Sequence, residues 1–209
     1  KAYYHLYLTD DPIIWTSIFM EQLECMSNAG MLDNDNLTYL RIRGIAKQDL
    51  RIRMFKELIV TYTRKCQMEY IDNQFCNDYD MFYRFNDDIV DENTEALTLT
   101  RLYDDCHNLL NDDDIVFYFH SKGITSYISN VGPGLIEEHR IRHYWRNILN
   151  HYTMTRWRDC VKALETHDVV GLQYIEEPYK HLSGNFWWAK VSYIKTLPHP
   201  IDPDWNDRF

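Results

Sequence analysis

No stretch of the 209-residue chain approaches the ~18 consecutive apolar residues that a membrane-spanning helix requires, and no basic-then-apolar signal pattern stands at its start. The expectation is a soluble, cytoplasmic protein. Cysteine is sparse and poorly spaced for a structural role. The five present (Cys25, Cys66, Cys76, Cys106, Cys160) form no Cys-x-x-Cys pair and are odd in number. That argues against a zinc knot and against a disulfide framework, and for a reducing compartment. Positive charge is also short, with 22 Lys and Arg against 32 Asp and Glu, a net −10. Such a balance repels nucleic acid, and an anionic ligand would need local cations or a metal ion. No Gly-x-Ser-x-Gly, His-Glu-x-x-His, Walker or Gly-x-Gly-x-x-Gly pattern occurs. No repeat or Gly/Ser linker divides the chain.

What is present is an apolar fraction of 45% and an aromatic fraction of 15%, led by sixteen tyrosines. Disordered and fibrous readings therefore fail. One domain spanning 1–209 is expected. The start at Lys1 and the end in "DPDWNDRF" suggest the N-terminal part of a longer protein.

"YYHLYL" reads as a buried strand that breaks at Thr9-Asp10-Asp11-Pro12. Asp11 suits an N-cap and Pro12 a first helical position, with Gly30 as the stop. "LTYLRIRG" alternates as a strand with Arg41 and Arg43 on one face. Residues 47–65 show helical spacing, and "CQMEYIDN" follows as a strand. "ENTEALTLTRLYDDCHNLLNDDD" is a helix pattern capped at Asn93 or Thr94. "IVFYFHSKG" begins as a strand too apolar to be exposed on either face. One or two helices then lead to a strand at "DVVGLQYI". The alternation predicts an α/β fold whose central sheet is mostly parallel and flanked by helices. Ligands of such sheets bind beyond the carboxyl ends of the strands.

Three candidate stretches converge on that rim: Thr9 to Asp11; His120-Ser121-Lys122-Gly123; and the run from Glu176 and Glu177 through His181 to "SGNFWW". Strand alternation puts His120 and Lys122 on one side, so that Lys122 can sit on a phosphate beside His120. A solvated loop explains the same residues about as well. Asp78 and Asp80 in "NDYD" have the spacing that clamps a divalent ion on a diphosphate, though an acidic turn is the commoner meaning of such a pair. "NDDD" at 111–114 lies at the wrong strand end. In "SGNFWW", Ser183 and Gly184 let a ligand approach the backbone, Asn185 hydrogen-bonds both ways, and Trp187 and Trp188 offer flat faces for a sugar. One functional and one core tryptophan is the expectation. "VGPG" at 131–134 reads as a flexible connection or a lid.

"IVFYFHSKGIT", "RHYWRNIL", "DVVGL" and "HLSGNFWWAKVSYIKTLP", in this order over about residues 95–198, resemble glycosyltransferases of the GT-A, Rossmann-like fold. The likeness is nearest to the N-terminal domains of multidomain chlorovirus enzymes that decorate capsid glycans, and more distant to rhamnan-synthesis transferases. It implies a UDP-sugar donor, glucose-type or 6-deoxy such as rhamnose, and an oligosaccharide or glycoprotein acceptor. A viral origin would place the protein in an infected host cell. The resemblance also implies a nucleotide site near Tyr7, Leu8, Thr9 and Asp10, and Mn²⁺ or Mg²⁺ on an Asp-x-Asp motif. His120-Ser121-Lys122 stands where that motif is usual, which leaves Asp78 and Asp80 as metal ligands from another loop. An inverting reaction would need a carboxylate base among Glu176, Glu177 and Asp168, whereas a retaining one would use Asn185 or His181. The likeness leans towards retention. A non-catalytic carbohydrate-binding module is the alternative that would also use the tryptophans.

Overall fold

The computed structural model describes residues 1–7, 11–33, 36–38, 40–45, 94–124, 135–178 and 180–200. The expected helix at 47–65, the strand at "CQMEYIDN" and the 131–134 loop lie outside the described residues.

The first strand, β1 (Ala2–Tyr7), is buried along nearly its whole length and leads into α1 (Pro12–Asn28). Asp11 caps that helix as its sequence suggests, accepting the Ile13 N–H at 2.9 Å, with Pro12 in the first turn. Ala29 is the C-cap, and Gly30 just beyond it takes the left-handed φ of 66°. Strand β2 (Leu40–Ile45) follows; then come α2 (Thr94–Asn108) and β3 (Ile115–His120). Helix α3 (Leu135–Asn150) runs into a π-helical turn (His151–Thr155) and α4 (Trp157–Ala163). The remaining elements are β4 (Val169–Gly171), β5 (Tyr174–Ile175), β6 (His181–Leu182), β7 (Trp187–Lys190) and α5 (Val191–Ile194). No described helix is long and apolar enough to cross a membrane.

The main sheet has the order β2-β1-β3-β7-β4. It is a mixed sheet flanked by helices, in keeping with the α/β expectation. β1 pairs in parallel with β2 and β3, while β7 runs antiparallel to both β3 and β4. Four strands thus point one way, and β7 alone is reversed. The sequence pattern missed β7 because its four residues put apolar side chains on both faces and sit directly behind a turn. The stretch read as one strand at "DVVGLQYI" is two, broken where Gln173 takes a φ of 52°.

Strand alternation sends side chains to two cores, one on each side of the sheet. Tyr4, Leu6, Phe117, Phe119 and Trp188 pack under α1 and α4, while Tyr3, Val116, Tyr118, Trp187 and Ala189 pack under α2 and α5. Phe117 stacks on Trp188 at 4.5 Å and Tyr4 on Phe119 at 4.3 Å. The two consecutive tryptophans therefore point to opposite faces, as extended backbone requires.

A buried ionic group locks α2 to the sheet. Asp105 accepts the Tyr3 hydroxyl at 2.8 Å and faces Arg41 at 3.2 Å and Arg101 at 2.9 Å. Arg41, expected on a basic strand face, is thus an interior partner. Asp105→Ala removes the buried carboxylate shared by Tyr3, Arg41 and Arg101 and should cost about 3–5 kcal/mol of unfolding free energy. Urea denaturation measures this, and a loss below about 1 kcal/mol would contradict a buried pair.

Candidate functional site

β2 and β3 flank β1 on opposite sides, so the order of the sheet reverses there, and in sheets of this kind ligands bind in the crevice expected beyond the carboxyl ends of such strands. The two strand ends are stitched together. Ser121 N–H donates to the His5 carbonyl and Tyr7 N–H to Ser121 Oγ, both at 3.0 Å. Strand β3 stops at His120, because Lys122 N–H folds back to the His120 carbonyl at 2.8 Å and Gly123 takes a φ of 81°.

The outer side of this turn is pinned from α1 and α3. Gln22 donates to the His120 carbonyl at 3.1 Å, and Gln22 itself accepts the buried Tyr4 hydroxyl at 2.6 Å. Arg146 donates to the Lys122 carbonyl at 2.9 Å and makes a two-pronged pair with Glu21 at 2.9 and 2.8 Å. The backbone from 120 to 123 is held at three carbonyl or hydroxyl oxygens, while Lys122 keeps a partly exposed side chain.

A polar cluster stands on the α2 side of the same rim. Glu95, in the first turn of α2, accepts the Asn185 amide at 2.6 Å and the Tyr118 hydroxyl at 3.2 Å, both on Oε2. Asn185 Oδ1 in turn accepts the Trp187 indole N–H at 2.9 Å. His120 Nε2 meets the Gly184 carbonyl at 2.9 Å, and its Nδ1 lies 3.6 Å from Glu95 Oε1. Gly184 has a φ of 85°, and an added Cβ would fall 2.6 Å from Leu149 Cδ1. Glycine is therefore required for packing against α3, which differs from the ligand approach expected of it.

Burial alone would raise the Glu95 carboxyl, yet the charges of His120 and His5, the Asn185 amide and the Lys122 ammonium outweigh it and bring it down to about 2. Burial pulls His120 below its ordinary value and Lys122 adds to this, against the pull of Glu95 and the Gly184 carbonyl. The two groups cannot both draw fully on one mutual attraction. At 3.6 Å the pair is too long for a hydrogen bond. The neutral imidazole beside an ionised Glu95 is the state that the geometry favours.

A domain of unknown function, DUF8361, has a family model that matches residues 3–206. The chain belongs to the DUF8361 family. No curated protein and no solved structure matches it.

In this DUF8361 domain the rim gathers Tyr7, His120, Ser121, Lys122, Gly184 and Asn185. His120 and Ser121 are buried ties between elements, His120 through Nε2 on the Gly184 carbonyl, while its Nδ1 faces Glu95. Trp187 is 0% exposed and Trp188 4%. Both are core, which corrects the expectation that one would cradle a sugar; Trp188 donates its N–H to the Thr153 carbonyl at 2.9 Å. Ser183 is half-buried, its N–H on the Gln173 carbonyl. His181 and Glu177 belong to the separate β5–β6 ribbon, where His181 pairs with Ile175 and Glu177 is exposed. Glu176 and Asp168 are also exposed, Asp168 holding Lys190 at 3.1 Å. Leu8, Thr9, Asp10, Asp78 and Asp80 lie outside the described residues.

The group that sequence reasoning passed over is Glu95. A helix that precedes a parallel strand begins at that strand's carboxyl end. "ENTEALT" ahead of "IVFYFH" therefore already placed Glu95 on the ligand rim.

Because Glu95 is more acidic in the fold than its ordinary value of 4.5, its ionisation supports the folded DUF8361 domain fully above about pH 4.5, and that support fades as the pH falls towards about 2. Glu95→Gln should lower the unfolding temperature at neutral pH, with the gap to the wild type closing across that acid window. An unfolding-temperature gap that stays constant from pH 5 to pH 2 would contradict this.

Proposed function

We propose that this DUF8361 domain is a glycosyltransferase of the GT-A type, moving a sugar from a UDP-sugar donor to an oligosaccharide or glycoprotein acceptor. The observation that carries the reading is the pinned His120-Ser121-Lys122-Gly123 turn at the point where the sheet order reverses. The cationic Lys122 side chain belongs to that turn, and the polar cluster of Glu95, His120 and Asn185 stands beside it.

The reaction breaks the bond between an anomeric carbon and a diphosphate, so negative charge grows on the leaving group while the sugar becomes oxocarbenium-like. On this reading the Lys122 ammonium meets the diphosphate, and its charge is the one that an acidic chain must supply locally. The anchored carbonyls of His120 and Lys122 hold that turn still, so Lys122 is presented without a large ordering cost. Asn185, fixed from behind by the Trp187 indole, lies beside the sugar, where a retaining enzyme needs a polar group.

Mn²⁺ or Mg²⁺ belongs to the proposal through Asp78 and Asp80. Among the described residues no three His, Cys, Asp or Glu side chains converge on one point. No step here is routed through the ion; bound, it would supply further positive charge to the leaving diphosphate. The carbohydrate-binding alternative loses its main support, since it rested on exposed indoles and both are buried.

Calorimetry with UDP and Mn²⁺ tests the reading, because a lectin ignores the nucleotide. Lys122→Ala should weaken UDP binding by about 1.5–3 kcal/mol, the range for a hydrogen bond to a charged group. Absence of UDP binding by the wild type would overturn the transferase reading, and unchanged affinity in the variant would remove Lys122 from the site.

A further inference from the structure

The hydrogen-bond inventory around Glu95 is complete on one oxygen and open on the other. Oε2 takes the Asn185 amide and the Tyr118 hydroxyl. The amide cannot be turned round, because its oxygen is already the acceptor for the buried Trp187 N–H. His120 is equally constrained. Its Nε2 partner is the Gly184 carbonyl, which only accepts, so Nε2 carries the hydrogen and the neutral ring keeps a lone pair at Nδ1. Glu95 Oε1 and His120 Nδ1 thus face each other at 3.6 Å as two acceptors with no hydrogen between them.

Apposed acceptors are a cost that a folded chain ordinarily avoids by placing a donor nearby. Here the Glu95 side chain is 35% exposed and that of His120 9%, so the gap is reached from the Glu95 side. The donor is to come from outside. A cationic ligand group would also satisfy a carboxylate, but the Lys122 ammonium already acts on both Glu95 and His120 and would repel a second cation. A neutral donor pair fits better. Two acceptors 3.6 Å apart suit two hydroxyls on adjacent carbons, each donating one hydrogen over about 2.7–2.8 Å.

We infer that Glu95 Oε1 and His120 Nδ1 receive two adjacent hydroxyls of the donor sugar, making this pair the element that selects a sugar with a free vicinal diol. The inference rests on the transferase reading and adds the feature of the donor that is recognised. The role is binding, not proton transfer. A general base works best with a pKa near the operating pH, and a carboxyl that already accepts the Asn185 amide and the Tyr118 hydroxyl is held below that range.

Glu95→Gln separates these possibilities with little disturbance of the fold. The amide introduced by E95Q still accepts from Asn185 and Tyr118 on its oxygen, and it presents an N–H donor to His120 Nδ1 in place of the Oε1 acceptor. Calorimetry is run on the wild type and E95Q with UDP and with UDP-glucose, each in Mn²⁺. UDP should bind the two proteins within about twofold, whereas UDP-glucose should bind E95Q about 10-fold or more weaker, the loss expected for hydrogen bonds to a charged group. The inference is overturned if E95Q leaves UDP-glucose affinity unchanged, if it weakens UDP and UDP-glucose alike, or if the wild type binds UDP-glucose no tighter than UDP. A wild type that binds no UDP at all sinks the transferase reading itself. A measurement on the wild type alone guards against misfolding of the variant. The His120 Nδ1 resonance should shift on saturation with UDP-glucose and stay in place with UDP, and an unmoved resonance with both ligands overturns the inference.

Discussion

One carboxylate joins three separate parts of the chain. Glu95 opens α2, Asn185 lies in the turn before β7 and Tyr118 stands on β3, and all three meet at Glu95 Oε2. Behind them the Trp187 indole fixes Asn185, and His120 ties the end of β3 to Gly184. A buried or half-buried carboxylate is costly unless its lone pairs are filled, so these partners must hold their positions for the fold to keep its rim. The same arrangement leaves Oε1 outside those hydrogen bonds, 3.6 Å from His120 Nδ1. Structural cost and binding capacity are two aspects of a single arrangement.

The second recurring device is the use of arginine to manage charge in an acidic molecule. Arg146 is buried against Glu21 and spends a further N–H on the Lys122 carbonyl, and Arg41 is buried against Asp105. Neither is offered to a ligand. Lys122 is different, since its backbone is fixed by Arg146 while its side chain remains partly exposed and its charge reaches both Glu95 and His120. Among the described residues these two arginines are held inside, and Lys122 is partly exposed at the proposed diphosphate position.

Legibility in the sequence followed the physics of each segment. Local signals were readable: Asp11-Pro12 at the start of α1, Gly30 past its end, the apolar period of α2 and the uniformly buried run of β3 all appear where short-range rules put them. Non-local pairing was not. Strand β7 takes an interior place in the sheet because of what lies on either side of it, and four residues carry no period long enough to show that. Trp187 and Trp188 looked like a binding surface because indoles beside a small polar turn are unusual, whereas their burial depends on α2 on one face and the Phe117 ring on the other. The rim itself was foreseeable at His120 to Lys122. Glu95 went unnoticed because a glutamate in a first helical turn is normally explained by the helix dipole alone.

The central claim is that the crevice beyond β1 and β3 is the place where a sugar nucleotide binds. A crystal structure of the protein with UDP-glucose and Mn²⁺ tests it most directly. The account predicts diphosphate density against the Lys122 side chain and hexose density over Glu95 and Asn185. Ordered nucleotide on any other surface, or a crevice without density at saturating ligand, would contradict it.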